Sequence, residues 1–99
     1  MLAKTISKKY ATALFETAVA DNKTLQVKDS LSLIKNRLTP DVMKIIKAPN
    51  VLNKEKKTVF EKLYGQEIIG EVKNFLNILL DKKRILFFDD IYRAYIGLY

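Results

Sequence analysis

Residues 6–19 read ISKKYATALFETAV, and the rest of the chain is organised around them. At about 100° per residue, Ile6, Tyr10, Ala13, Leu14 and Thr17 fall on one face of a helix, while Ala11, Phe15, Ala18 and Val19 continue the apolar surface round the other side. That arc covers roughly 240°, against the ~100° stripe that suffices for packing on one neighbour. Such a helix needs contacts on several sides. It is either the central helix of a bundle or a helix that keeps part of its surface for a partner molecule.

Ninety-nine residues make one domain, residues 1–99, with a single modest core. Apolar residues make up 48% and charged residues 29%, the balance of a soluble globular chain. Cysteine and histidine are absent, which excludes disulfides, a thiolate or imidazole zinc site and histidine acid/base catalysis. No Asp/Asn/Gly loop of the EF-hand kind offers a carboxylate metal site, so neither metal nor cofactor is expected. The net charge of +7 raises the question of an acidic partner. Its lysines are spread along the whole chain, however, and no arginine-rich arm appears. The densest groups, Lys54-Glu55-Lys56-Lys57 and Lys82-Lys83-Arg84, sit where a helix would begin and end, as on solvated helix faces. Nucleic acid is therefore not the expected partner.

No apolar run approaches the ~20 residues that span a bilayer, so no direct membrane insertion is expected. Residues 1–15 carry Lys4, Lys8, Lys9 and several hydroxyls but no acid, the composition of a mitochondrial transit peptide. The apolar periodicity nevertheless runs unbroken through Glu16 to Val19, and cleavage would remove the best helix in the chain. The stretch reads as mature protein.

Glycine occurs only at 65, 70 and 97 and proline only at 40 and 49, and no alternating strand pattern is present. After a polar break at residues 20–24, where Asn22 or Thr24 is available as a cap, Val27, Leu31, Ile34 and Leu38 mark a one-faced second helix. Thr39-Pro40-Asp41 has the residues of a helix start, and a short third helix turns Val42, Ile45 and Ile46 inward. Ala48-Pro49-Asn50 ends it, Val51 and Leu52 are expected to anchor the loop, and Asn53 to cap a fourth helix with Val59, Phe60 and Leu63 inward. Tyr64-Gly65 supplies a stop. A fifth helix is expected from about Glu67, with Ile68, Val72, Phe75, Leu76 and Leu79 inward and Gly70 in close contact with another helix. Lys82-Lys83-Arg84 suits its C-terminal turn, and a sixth helix carries Phe88, Ile91, Tyr92, Tyr95 and Tyr99 on one side. That pattern is still apolar at Tyr99, as in a fragment of something longer. The expected fold class is all-α, a compact six-helix bundle with the first and fifth helices central.

Catalytic constellations are missing: there is no phosphate-cradling glycine loop and no nucleophile elbow, and Asp89-Asp90 are helix neighbours that point about 100° apart. An enzyme is not expected. The informative feature is surplus apolar surface. Ile78 lies about 115° from the centre of the fifth helix's inward stripe, flanked by Glu71, Asn74 and Lys82. The first helix has a matching edge at Ile6, Tyr10, Ala13 and Thr17. Side by side, these edges would form a groove able to accept an amphipathic helix, with Lys9, Glu16, Glu71 and Lys82 on its rim.

Three segments then carry a resemblance. Lys9-Tyr10-Ala11-Thr12-Ala13-Leu14-Phe15, Pro49-Asn50-Val51 with Lys56, and residues 72–80 (VKNFLNILL) running into Arg84-Ile85 resemble the delta subunit family of rotary ATP synthase, called OSCP in mitochondria. The likeness spans nearly the whole chain. One departure is Lys83, which stands where the family often has glycine, and it bears on the turn between the fifth and sixth helices. The resemblance implies a six-helix N-terminal domain that holds the N-terminal helix of an ATP synthase alpha subunit between the first and fifth helices. On that basis Tyr10, Ala13 and Thr17 line one wall, and Asn74, Phe75 and Ile78 the other. It further implies a non-catalytic stator component of a proton-translocating enzyme, without cofactor. Its peripheral stalk b subunit is contacted through a C-terminal domain that has no counterpart after Tyr99. The place implied is the cytoplasmic face of a bacterial membrane.

Two other readings compete. An all-helical RNA-binding or transcription antitermination-like module would exploit the positive charge and bind with steep salt dependence. A structural bundle would use its spare apolar surface for self-association.

Overall fold

Prolines and glycines divide the chain into helices much as their chemistry requires. The computed structural model describes residues 2–99. Six α-helices follow in order: α1 (Leu2–Ala20), α2 (Thr24–Arg37), α3 (Pro40–Lys47), α4 (Asn53–Tyr64), α5 (Gly70–Asp81) and α6 (Phe88–Leu98). Short 3-10 turns at Gly65–Glu67 and Ile85–Phe87 lead into α5 and α6, and no strand occurs among the described residues.

The helix ends explain where the sequence expectations hold and where they do not. Thr39 caps α3 as expected: its hydroxyl accepts from the Val42 amide at 3.3 Å, and Pro40 occupies the first helical position. Asn22 does not cap α2. It takes a left-handed φ of 57° and closes α1 instead. The amides of Lys23 and Asn22 bond back to the Ala18 and Val19 carbonyls at 2.8 and 3.1 Å, a Schellman closure. Thr24 is already inside α2. Asn53 is likewise not a cap, because its amide reaches the Leu80 carbonyl at 3.2 Å and serves the end of α5. α5 starts at Gly70 rather than near Glu67, since Gly65, at φ 45°, reverses the chain and the next residues form the 3-10 turn. Gly70 is therefore the first residue of its helix, and a Cβ there would meet nothing within 4 Å, so no close helix contact occurs at it.

The core is one cluster. Ala11, Leu14 and Ala18 of α1 meet Val27, Leu31 and Ile34 of α2, Ile46, Phe60, five residues of α5, and Phe88, Ile91 and Tyr95 of α6. Small side chains on the buried stripe of α1 let α6 lie against it for most of its length. Two fully buried tyrosines tie helices together: the Tyr64 hydroxyl donates to the Ile34 carbonyl at 3.3 Å, and that of Tyr95 to Thr24 at 2.8 Å. Ser30, buried on α2, accepts from the Ile69 amide that opens α5. Arg37 clamps the same region by donating to the Leu63 carbonyl at 2.8 Å and pairing with Glu67.

Some inward assignments fail. Ile45 and Leu52 are exposed, Leu52 at 66%, because α3 and the loop after it turn other residues to the core. The radius of gyration, 12.8 Å, is close to the roughly 12.6 Å of a close-packed chain of this length.

Candidate partner-binding groove

α1 buries Ser7, Ala11, Leu14 and Ala18, spaced four, three and four, so the face with Tyr10, Ala13 and Thr17 is turned about 100° away from the core. α5 buries Val72, Phe75, Leu76 and Leu79 and leaves Ile78 46% exposed. Between these two edges runs a groove of about 380 Å³, lined by Tyr10, Ala13, Leu14 and Thr17 from α1 and by Glu71, Asn74, Phe75 and Ile78 from α5. Six of the eight bear apolar or methyl-bearing side chains, and Glu71 and Asn74 supply polar edges.

The groove is held in shape from one end to the other. Tyr10 and Phe75 meet edge to face, with centroids 6.2 Å apart and planes at 71°, bracing α1 against α5. The Tyr10 hydroxyl accepts from the Arg84 guanidinium at 2.9 Å, and the guanidinium carbon lies 5.5 Å from the ring centroid. The Thr17 hydroxyl donates to the Ala13 carbonyl one turn back at 3.0 Å, so its hydrogen is used within α1. Glu71 pairs with Lys23 at 2.8 Å, and that bond lowers the Glu71 carboxyl below its ordinary value and raises the Lys23 amine. Glu71 thus stays ionised on the rim. Asn74 is exposed and Ala13 is open to solvent.

Of the nine residues expected at the site, seven line this groove. Ile6 is half-buried one turn before Tyr10, and Lys82 is exposed just past the end of α5, and neither reaches the lining. Lys9 and Glu16 border a separate depression of about 490 Å³ on the far side of Ala13. Leu14 on the floor, Lys23 beside Glu71 and Arg84 behind Tyr10 were missing from the expected set. Leu14 could have been found, since it shares the Tyr10 face; the other two lie 48 and 74 residues from their partners and have no local signal. Among the described residues no acidic or histidine cluster could hold a metal ion, and no helix is long and apolar enough to cross a membrane.

Comparison with known proteins adds a family. The model of the ATP synthase delta (OSCP) subunit family matches residues 6–99. An ATP synthase subunit delta of Alkaliphilus oremlandii is 34% identical over 97 residues, covering 96% of this chain and 54% of that protein. That of Clostridioides difficile is 36% identical over 93 residues, covering 91% and 51%. A third, from Alkaliphilus metalliredigens, is 35% identical over 96 residues, covering 95% and 53%. The chain spans about half the length of the curated relatives it matches.

Proposed function

As the chain belongs to the ATP synthase delta (OSCP) subunit family, we propose that it is the part of a stator subunit that grips the catalytic head. The groove between α1 and α5 takes the amphipathic N-terminal helix of an alpha subunit. The observation that carries this reading is the lining itself: two helices that each spare an apolar edge, with small residues at Ala13 and Thr17 that allow a third helix to come close. Apolar burial supplies the affinity, while Glu71, kept ionised by Lys23, and Asn74 orient the incoming helix. The preformed Tyr10–Phe75–Arg84 brace lowers the ordering cost of binding.

The work done is mechanical. Rotation of a central shaft turns against the head, and a stator must hold the head fixed relative to the membrane sector if that torque is to drive ATP synthesis. The chain carries out no chemistry itself. The family's second domain reaches the peripheral stalk b subunit, and the assembly sits at the cytoplasmic face of a bacterial membrane.

Isothermal titration of the domain with the cognate alpha-subunit N-terminal peptide tests the groove. Ala13 is exposed, so Ala13→Glu should leave the helical content and thermal unfolding unchanged while weakening binding about a hundredfold by placing a charge under the apolar face. Unaltered affinity in that variant would put the peptide elsewhere.

A further inference from the structure

A second depression lies across the buried stripe of α1 from the groove. It holds about 530 Å³ between the first half of α1 and the length of α6 from Asp90 onward, with Lys4, Ser7, Lys8, Arg93, Ala94 and Gly97 in its walls. Around α1, Lys4 and Lys8 stand roughly 170° from Tyr10, Ala13 and Thr17, so the two depressions use opposite sides of one helix.

Its chemistry differs from that of the groove. Three cations line it against one carboxylate, Asp90. Among the described residues no ion pair engages Lys4 or Lys8, and Arg93 reaches only the neighbouring Asp89, at 3.1 Å. Ser7 lies in the wall at 1% exposure, and its hydroxyl is buried with no hydrogen-bond partner. A buried hydroxyl without a partner is unfavourable, so an acceptor that reaches it from the depression gains a hydrogen bond and relieves that cost. Next to it the lining is apolar, with Ala94 and the 39%-exposed Leu98, and at Gly97 a Cβ would meet nothing within 4 Å.

We propose that this cleft docks an acidic amphipathic helix of a partner protein. One carboxylate of that helix enters between Lys4, Lys8 and Arg93 and accepts the Ser7 hydroxyl hydrogen. Its apolar side covers Ala94 and Leu98, and Asp90 sets the orientation by repelling a second acid and attracting a base. A small free anion would satisfy the cations but leave the apolar wall uncovered.

The test uses the isotope-labelled chain and two synthetic amphipathic peptides of roughly four helical turns. One has Leu and Glu at three- and four-residue spacing, and the other has Gln in place of every Glu. Amide shifts at Ser7, Lys8, Ala94 and Gly97 are expected with the Glu peptide, with about tenfold weaker binding for the Gln peptide and at higher salt. Gly97→Leu, which fills the cleft, should abolish these shifts and leave Tyr10 and Phe75 undisturbed. Lys8→Gln, a surface change that spares the core, should weaken binding in the same direction. The proposal is overturned if the Glu peptide moves only residues of the α1/α5 groove, if the Gln peptide binds equally well, or if sodium acetate alone reproduces the shifts.

Discussion

Lys83 shows how one residue carries a cost that the fold accepts. It holds φ at 58°, and the amides of Lys83 and Arg84 return to the Leu80 and Leu79 carbonyls at 3.1 and 2.8 Å, closing α5 as Asn22 closes α1. A lysine there forfeits about 1–2 kcal/mol that glycine would not, part of which glycine loses again through its freer unfolded chain. Lys83→Gly should therefore raise stability by about 0.5–1 kcal/mol, read as a higher urea midpoint with unchanged slope. The turn closes with lysine in the left-handed position. Tyr95 provides the opposite case. Tyr95→Phe removes the bond to the Thr24 carbonyl without leaving a cavity, and a loss of about 1 kcal/mol is expected in the same urea experiment. The two asparagines mark the limit of reading at this scale. Asn22 and Asn53 have the chemistry of caps, yet whether either caps its own helix depends on a left-handed turn and on a carbonyl 27 residues away.

For the helices themselves, spacing was informative and boundaries were not. The stripes of α2 and α5 are visible in the order of apolar residues and are buried as that order requires. α1 is harder because its apolar arc is far wider than one stripe: its inward stripe is the small set Ser7, Ala11, Leu14 and Ala18, and only Leu14 of the face around Tyr10 is buried. The surplus edges of α1 and α5 could be identified, because residues that belong to no inward stripe stand out by their angle. The Arg84 brace could not, since it joins α1 to the end of α5 through tertiary contact alone. Arg84→Met should cost about 1–2 kcal/mol in global stability, from the lost hydrogen bond and ring contact. It should also weaken peptide capture several-fold by freeing Tyr10, measured by calorimetry on the unsubstituted chain and on Arg84→Met.

Across the whole molecule, charge pairs join helices that are distant in sequence, and they make stability depend on pH. Hydrogen bonds from Arg37, Lys23 and Lys35 hold Glu67, Glu71 and Asp89 below their ordinary carboxyl values. Depressed folded values mean stability that is present above about pH 4.5 and lost as acid protonates these groups, the more so at low salt. Burial pushes Tyr64 and Tyr95 up to about 12 from 10.0, so their contribution is complete below pH 10 and disappears as pH climbs towards 12. Thermal melts across pH should thus fall at both ends and stay level between. The all-helical class and the family follow from patterns along the chain, whereas the cleft between α1 and α6 exists only once Ser7 and Gly97 are brought together in the fold.

The proposed grip on the head depends on the α1/α5 groove receiving the alpha-subunit helix. The most direct measurement is an NMR titration of the labelled domain with that N-terminal peptide. Large shifts at Tyr10, Ala13, Thr17, Asn74, Phe75 and Ile78, with α3 and α4 silent, are the predicted result. Shifts confined to other surfaces, or none at saturating peptide, would contradict it.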